Sequence, residues 1–303
     1  MGAVKLPPSM RRLIPTLLTL LAAVAARAAP LSVTDDLGNT LTLPAPATRI
    51  VSLSPGGTEM LFAAGAGSHV IATVEYADEP PAAKQVPRIG DVVSVDIERL
   101  VAMHPDVVVV WPGGGNGADI GKIGKLAIPL YRQQADTLAA LPDSLRRLGR
   151  LAGTQAVADR NASELAARLQ SIAAQYSREP PVTAFIQVWS RPLYTVGGKQ
   201  LMTDAFALCG VRNVFADLKE ASPVVEVEAV IARNPDMIVA VTETAAAAGW
   251  LEEWRRFPSM NAVKSGRLVS FQDARLVRLG PSAVEATEAL CKRLAAARIN
   301  ATR

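Results

Sequence analysis

One sixteen-residue unit occurs twice in this chain, and it limits the available folds more than any other feature. The first copy, at residues 95–110, reads VDIERLVAMHPDVVVV, and the second, at residues 225–240, reads VEVEAVIARNPDMIVA. Each copy begins with helix-forming residues and ends, after a Pro-Asp pair, in an apolar run. This order predicts a short helix that leads into a buried strand. We therefore expect a chain of two similar lobes.

Strand and helix patterns alternate around both copies. An alternating segment around Gly38-Asn39 predicts an edge hairpin, and apolar runs predict further strands. These runs lie at residues 49–53, 69–76 and 127–134 in the first lobe, and at 182–189, 237–241 and 267–272 in the second. Helical segments separate the runs, which is typical of parallel sheets covered on both faces. The predicted fold class is therefore α/β, with two similar lobes built on parallel-type sheets.

The segment between the lobes differs from both in composition. Residues 139–177 consist almost entirely of helix-forming residues, with apolar side chains at helical spacing. Gly149 and Gly153 are its only soft points, by which we mean residues that weaken a helix. The pattern therefore predicts one long, stiff helix that is continuous or broken once. The predicted lobes then cover residues 29–138 and 178–303.

The first 28 residues have the pattern of a secretory signal peptide. Arg11 and Arg12 form a basic start, the apolar run that follows is LIPTLLTLLAAVAA, and residues 26–28 read ARA. This run is shorter than the roughly 20 residues that span a bilayer, and the small residues predict cleavage between Ala28 and Ala29. We expect an exported protein, with an uncleaved membrane anchor as the alternative.

The charge balance excludes one class of partner. The leader holds four of the 32 Lys and Arg residues and no Asp or Glu, so 28 basic residues face 28 acidic ones in the mature chain. A nucleic-acid surface requires a clustered excess of basic side chains, which this balance does not provide. The sequence therefore predicts no nucleic-acid partner.

The two cysteines, Cys209 and Cys291, both belong to the second lobe. In an oxidising compartment an even number of cysteines predicts a disulfide, here one that joins two elements of a single lobe. Two buried free thiols are the alternative.

The sequence offers little for catalysis. It contains two histidines and none of the usual motifs for metal-dependent hydrolysis, nucleophilic catalysis or nucleotide binding. His104 stands where the second copy has Asn234, which favours a turn residue. The glycine-rich stretches SPGGT and WPGGGNG can cradle an anion at a helix start, although such glycines usually serve turns. We expect a protein without catalysis, resident cofactor or metal site.

Aromatic residues indicate where a ligand binds. Open parallel sheets bind ligands in the loops that follow the carboxyl ends of their strands. Aromatic residues make up only 5% of the chain, yet four of them fall in these loops: Tyr76, Trp111, Trp189 and Tyr194. This grouping predicts a cleft for a large, partly apolar ligand. Trp250, Trp254 and Phe257 have helical packing spacing, and we interpret them as core or helix surface.

Five stretches carry a resemblance to a known family. They read RIVSLSPGGTEMLFAAG, IERLVAMHPDVVVVW, LRRLGRLAG, VGGKQLMTDAFALCG and EAVIARNPDMIVAV. From about Arg49 onward the chain resembles the periplasmic substrate-binding proteins that serve cobalamin, siderophore and haem importers, with the cobalamin branch the nearest likeness. The resemblance implies a class III periplasmic binding protein, in which one rigid helix joins two lobes and the ligand binds between them.

The resemblance also implies partners and a location. It implies a monomer in the periplasm that captures a small-molecule metal chelate and delivers it to the membrane permease of an ABC importer. An exported two-domain enzyme that uses the cleft chemically is the alternative from another class. That alternative needs a nucleophile beside a base such as Glu75 or Asp273, and the sequence does not supply one.

Two acidic residues are expected to dock the permease. Each lobe in that family presents one such residue at the start of a helix, and Glu98 and Glu228 fall on those positions. The alternative is that each carboxylate only favours the amino end of its own helix. The cobalamin branch also has two bridged cysteines that match Cys209 and Cys291, which supports their pairing.

The ligand-binding residues follow from the same resemblance. Tyr76, Trp111 and the loop at 273–278 match contact positions of the cobalamin branch. Tryptophans of that branch near residues 89–91, 222 and 274 are absent, and we interpret Trp189 as a substitute from the facing lobe. The predicted ligand-binding set is Ser54, Pro55, Gly56, Tyr76, Trp111, Trp189, Tyr194, Asp273, Ala274, Arg275 and Arg278.

The expected ligand is cobalamin or a related corrinoid. A ferric siderophore is second, because Arg275 and Arg278 can pair with an anionic chelate. Haem is third, because Glu79 occupies the place of the axial tyrosine of the haem carriers.

Overall fold

Two parallel sheets, one in each half of the chain, form the framework. The computed structural model describes residues 30–91, 93–114, 116–176, 181–242 and 247–300, with the side chains of 299 and 300 excepted. The predicted signal peptide and its cleavage site lie outside these residues. Within them, no helix combines the length and apolar character needed to cross a membrane.

The first half begins with the predicted hairpin, in which β1 (Leu31–Thr34) pairs with β2 (Thr40–Leu43). The parallel sheet that follows has the order β4-β3-β5-β6. Its strands are β3 (Ile50–Ser52), β4 (Val70–Ala72), β5 (Val107–Val110) and β6 (Leu130–Arg132), and its helices are α1 (Pro55–Ala63), α2 (Ile97–Ala102) and α3 (Gly117–Ile123).

The second half repeats this topology. Its parallel sheet has the order β10-β9-β7-β8. In both lobes, therefore, the second strand of the sheet in chain order lies at one edge, and the first, third and fourth strands follow in that order across the sheet. The strands are β7 (Val182–Gln187), β8 (Val211–Asn213), β9 (Met237–Val241) and β10 (Leu268–Phe271). The helices are α6 (Leu201–Leu208), α7 (Val227–Arg233), α8 (Ala247–Trp254), α9 (Asn261–Lys264) and α10 (Pro281–Asn300). The predicted fold class of two similar α/β lobes is confirmed.

The Pro-Asp pair of the repeated unit has the same role in both lobes. Oδ2 of Asp106 accepts hydrogen bonds from the backbone N–H groups of Thr48 and Arg49, and Oδ2 of Asp236 accepts one from the N–H of Thr183, each over 2.9 Å. Each carboxylate thus ties the start of the third strand of its sheet to the beginning of the first strand, at the residues just before β3 and at the second residue of β7.

The residue before each Pro-Asp pair turns the chain from helix to strand. His104 and Asn234 both have left-handed backbone conformations, with φ of 46° and 40°. Asn and His adopt this conformation more readily than most residues do. The prediction that His104 is a turn residue is confirmed.

The predicted helix between the lobes is two helices. α4 (Leu141–Ala152) ends at Gly153, whose φ of 73° is left-handed, and α5 (Gln155–Tyr176) starts directly afterwards. A left-handed glycine is a common way to end a helix, and it lets α5 fold back beside α4. Of these two helices α5, with 22 residues, is the longer. The single break allowed by the sequence therefore falls at the second of its two soft points.

The second lobe is cross-linked as predicted. A disulfide joins Cys209, at the end of α6, to Cys291 in α10, with their Cα atoms 4.8 Å apart. Both cysteines are buried. The alternative of two free thiols is therefore wrong.

Candidate ligand-binding cleft

Two adjoining cavities lie at the carboxyl ends of the strands, and the first of them lies between the lobes. The first, of about 400 Å³, is lined by residues of the first lobe and by the loop after β10. The second, of about 660 Å³, is lined by residues of the second lobe. Ala274 and Val277 belong to both linings, so the two cavities adjoin, and we refer to them together as the cleft.

The start of α1 forms one side of the first cavity. Oγ of Ser54 accepts a hydrogen bond from the backbone N–H of Gly57 and so caps the helix, with Pro55 in its first turn. A Cβ atom on Gly56 would lie only 2.7 Å from the backbone nitrogen of Leu279 in the other lobe. Glycine is therefore required here because the two lobes touch at this point.

Two aromatic residues of the first lobe face the same cavity. Trp111 follows β5, and a Cβ atom on Gly113 would lie 2.9 Å from its Nε1, so the glycine-rich turn packs against the indole ring. Tyr76 stands at the rim with 70% of its surface exposed and a left-handed φ of 64°. An aromatic ring held this far out of the core can contact a ligand.

Contacts between the lobes lie next to the first cavity, where Gly56 and Leu279 belong to its lining. The side chain of Gln133 donates a hydrogen bond to the carbonyl of Leu279 over 2.9 Å, beside the close approach of Gly56. The carboxylate of Glu59, in α1, accepts hydrogen bonds from the backbone N–H and the hydroxyl of Ser282, in the first turn of α10. We refer to Gly56, Glu59, Gln133, Leu279 and Ser282 as the interlobe clasp.

Burial governs the ionisation of the clasp carboxylate. Glu59 is only 7% exposed, and this desolvation raises its pKa above the ordinary value, against the hydrogen bonds from Ser282, which lower it. The positive charge of Arg278 nearby also lowers the pKa of Glu59.

Arg278 is a cation that faces the first cavity, and Arg191, which lines the second, is paired with Glu253. Arg278 is half-buried, and its guanidinium donates no hydrogen bond to any residue the structure describes. A half-buried guanidinium without such a partner is suited to an anionic or carbonyl group of a ligand.

Arg275 was predicted to contact the ligand, but it lies outside the two cavities. Its Nε and Nη2 atoms bond the two carboxylate oxygens of Asp273, over 2.9 and 2.8 Å, and its Nη1 atom bonds Glu285 over 3.2 Å. The hydrogen bonds from the Arg275 side chain to Asp273 hold the pKa of Asp273 below its ordinary value. Arg275 lines neither of the two cavities, because its charge is directed to these two acids, and its predicted contact with an anionic ligand is not supported.

The other predicted residues divide between the two cavities. The first is lined by seven of the predicted set: Ser54, Pro55, Gly56, Tyr76, Trp111, Ala274 and Arg278. The second brings in Trp189 and Asp273. Tyr194 lines neither cavity, and its backbone is paired with that of Trp189 and Val224.

Trp250 is the main residue that sequence reasoning missed. Its helical spacing with Trp254 suggested packing, and Trp254 is indeed buried, at 3% exposure. Trp250, one turn earlier in α8, packs partly against the core of the second lobe and also lines the second cavity, where it meets Trp189 edge to face with ring centroids 5.9 Å apart. The position of Trp250 in the chain could have revealed its role. Helix α8 follows the carboxyl end of β9, an inner strand of the sheet, and ligands bind at such ends.

The two predicted docking carboxylates occupy equivalent places on the two lobes. Glu98 lies in the first turn of α2 and Glu228 in the first turn of α7, and both are exposed. Neither side chain has an ion pair or hydrogen bond with the part of the chain that the structure covers. Exposed Val93 and Val224 stand close to them in sequence.

Metal ligation is not evident in the same part of the chain. Among the described residues, no group of three or more His, Cys, Asp or Glu side chains is placed to hold a metal ion.

Comparison with known proteins places these features in one family. The sequence pattern of the periplasmic binding protein family matches residues 50–274. The vitamin B12-binding protein of Vibrio cholerae serotype O1 is 31% identical over 252 residues, which cover 83% of this chain and 90% of that protein. The corresponding protein of Photorhabdus laumondii is 28% identical over 247 residues, 81% of this chain and 87% of that protein.

Solved structures agree with the sequence relatives. The crystal structure of the periplasmic vitamin B12 binding protein BtuF of Vibrio cholerae superposes with a TM-score of 0.75 at 30% identity, over 84% of this chain and 98% of that one. The periplasmic heme-binding protein RhuT of Roseiflexus shares the fold, with a TM-score of 0.68 at 22% identity over 83% of this chain and 99% of that one. The family consists of binding proteins, which confirms the prediction of a binding protein rather than an enzyme. With a match over most of its length, the chain belongs to the periplasmic binding protein family.

Proposed function

We propose that this chain captures cobalamin or a related corrinoid in the interlobe cleft and delivers it to the membrane permease of an ABC importer. The observation that carries the proposal is the likeness to vitamin B12-binding proteins, which extends over 83% of the chain at 31% identity. This likeness includes both lobes and therefore both walls of the cleft.

The chemistry of the cleft supports a corrinoid. Its two cavities, of about 400 and 660 Å³, together offer room for a large ligand. Trp111 and Tyr76 on one side and Trp189 on the other offer apolar surface to the ring system. Arg278 can donate hydrogen bonds to the amide carbonyls or the phosphate that such a ligand carries. No covalent chemistry is needed for capture and release, and we propose that the protein holds no resident cofactor.

A ferric siderophore is the second candidate. Its negative charge would suit Arg278, but Arg275 is committed to Asp273 and Glu285. Of the two arginines that the sequence suggested, the cleft therefore offers such a chelate only Arg278, and Arg191, which lines the second cavity, is paired with Glu253.

Delivery follows from the two carboxylates at the lobe tips. Glu98 and Glu228, one on each lobe, form a two-point contact for basic residues of a permease, which fixes orientation and aids encounter more than it adds affinity. This role requires export, so we propose cleavage of the leader between Ala28 and Ala29 and action as a monomer in the periplasm, without a nucleic-acid partner.

Recovery of bound ligand tests the proposal. The mature protein is mixed with cyanocobalamin, freed of excess ligand by gel filtration, and denatured to release what it holds. We expect one corrinoid per chain with an unchanged absorption spectrum, while haem and a ferric siderophore are not retained in parallel runs. A chemically altered corrinoid would instead indicate an enzyme, and retention of the siderophore alone would reassign the ligand.

A further inference from the structure

A short segment of the second lobe, residues 278–282, belongs both to the wall of the first cavity and to the contact between the lobes. Arg278 and Leu279, at its start, line the cavity. Ser282, at its end, donates hydrogen bonds to the carboxylate of Glu59 in the first lobe. The place of Arg278 relative to a ligand therefore depends on how the first lobe holds this segment.

Gln133 of the first lobe holds the segment at Leu279, the residue that follows Arg278. Its Nε2 atom donates to the carbonyl oxygen of Leu279 over 2.9 Å. At the other end of the same residue, the backbone nitrogen of Leu279 lies so close to Gly56 that a Cβ atom there would be 2.7 Å away. Because the first lobe contacts the Leu279 backbone at both ends, Leu279 has little room to shift, and the backbone of Arg278 is fixed with it.

The same glutamine is attached to the opposite wall of the first cavity. Its backbone N–H donates to the carbonyl of Val110 over 2.8 Å, at the end of β5, and Trp111 follows directly. Gln133 therefore connects the wall that carries Trp111 with the wall that carries Arg278 and Leu279.

The side chain of Gln133 contributes little net stability. It is fully buried, and its Oε1 atom accepts no hydrogen bond from any residue that the structure describes. A buried acceptor without a donor costs free energy, which offsets much of what the hydrogen bond to Leu279 contributes. An apolar side chain of similar length would stabilise the fold about as well, but it would not fix the place of Leu279.

We propose that Gln133 is a positioning residue for ligand capture, which acts through Leu279 to hold Arg278 where its guanidinium can bond the ligand. The inference rests on the proposed function and adds to it a residue that lines neither cavity. Because the guanidinium of Arg278 has no hydrogen-bond partner among the described residues, the place of its backbone decides what it can reach.

Calorimetric titration of Gln133→Met with cyanocobalamin tests the inference. Methionine keeps an unbranched side chain and removes both polar atoms. The affinity should fall about fivefold, as expected when one hydrogen bond to the ligand is impaired, while the melting temperature of the ligand-free protein should change by less than about 3 °C.

A double substitution separates positioning from a merely structural role. When Arg278→Met is already present, the further change Gln133→Met should alter the affinity by less than about twofold, because no guanidinium is left to position. A residue with only a structural role would weaken binding by the same factor in both backgrounds.

A second contact between the lobes provides the matched control. Oδ2 of Asp204, in α6, accepts a hydrogen bond from the backbone N–H of Leu138 over 2.7 Å, and neither residue lines the cleft. Asp204→Ala should lower the melting temperature and leave the affinity for cyanocobalamin within about twofold of wild type.

Gly56→Ala carries the test if Gln133→Met does not fold. The added Cβ atom displaces Leu279 from its other side, and the resulting loss of affinity should likewise disappear when Arg278→Met is present. Full affinity in the variant tested, or an equal loss with and without Arg278→Met, overturns the inference and leaves the proposed function standing. Failure of the wild-type protein to bind cyanocobalamin overturns both.

Discussion

Replacement of Glu59 should show that the interlobe clasp stabilises the protein. Glu59 belongs to α1 of the first lobe and accepts two hydrogen bonds from Ser282, at the start of α10 in the second. Removal of the carboxylate in Glu59→Ala leaves a buried backbone N–H and a hydroxyl without their acceptor. It also removes a negative charge from the positive end of a helix of 20 residues.

The size of the effect can be estimated from these contacts. A hydrogen bond to a charged acceptor contributes about 1.5–3 kcal/mol net, and two are lost. Part of this loss is offset because a buried carboxylate no longer has to be desolvated. We expect Glu59→Ala to lower the free energy of unfolding by about 2–4 kcal/mol. Ser282→Ala keeps the backbone donor and should lower it by about 1 kcal/mol.

The pH dependence gives a second signature of the same group. Burial raises the pKa of Glu59 in the folded protein above its ordinary value near 4.5. The folded state therefore binds the proton more tightly than the unfolded state does. The part of the Glu59 contribution to stability that is linked to this proton is fully present below the unfolded pKa and is lost as pH rises through the folded pKa, while the hydrogen bonds from Ser282 to the ionised carboxylate remain. Glu59→Gln, which is neutral at every pH, should remove this dependence.

Urea unfolding measures both effects. Wild type, Glu59→Ala, Glu59→Gln and the exposed control Glu164→Ala are unfolded at pH 4, 6 and 8, and their free energies of unfolding are compared. The stability of wild type relative to Glu59→Gln should fall as pH rises, and Glu164→Ala should differ from wild type by less than about 0.5 kcal/mol. A Glu59→Ala protein as stable as the Glu164→Ala control would refute the reasoning.

Three further predictions concern the cross-link, the cleft and the docking residues. Thiol labelling of the denatured, unreduced protein should find neither Cys209 nor Cys291 free, and Cys209→Ser/Cys291→Ser should unfold with about 2–5 kcal/mol less free energy. Trp111→Ala should weaken cyanocobalamin binding by about 1–3 kcal/mol in a fluorescence titration. Glu98→Arg combined with Glu228→Arg should abolish corrinoid uptake in cells and leave the titration unchanged, because a reversed charge repels a basic permease surface.

Each of these predictions has an outcome that contradicts it. Two labelled thiols would exclude the disulfide, and undiminished binding by Trp111→Ala would place the ligand elsewhere. The control for docking is Glu164→Arg, which reverses an exposed charge on α5, away from Glu98 and Glu228. Cells that carry this variant should take up corrinoid normally. Uptake that survives both reversals at the tips would leave Glu98 and Glu228 as residues that only favour their helix starts.

Local patterns predicted the fold well. The repeated unit predicted two lobes because its helix, turn and strand are determined by residues that are neighbours in the sequence. In both lobes the aspartate of its Pro-Asp pair then anchors the sheet through hydrogen bonds to the backbone. Gly153 was named as a soft point because glycine adopts left-handed backbone without strain. Whether a soft point breaks a helix depends on packing, and here α5 gains contact with α4 by folding back.

The site was predicted less completely because its details depend on distant partners. Glu59 lies in a helix that the sequence did predict, but its partner Ser282 is 223 residues away and in the other lobe. Arg275 was expected to meet the ligand, and only the folded chain shows that Asp273 and Glu285 take its charge. Helical spacing grouped Trp250 with Trp254, because periodicity alone does not show which turn of a helix reaches a cleft.

Calorimetric titration of the mature wild-type protein with cyanocobalamin tests the central claim most directly. We expect a saturable heat of binding with one corrinoid per chain and a negative heat-capacity change, because the ligand buries apolar surface against the aromatic walls of the cleft. No heat of binding with cyanocobalamin, together with saturable binding of a ferric siderophore or haem, would contradict the assignment of a corrinoid.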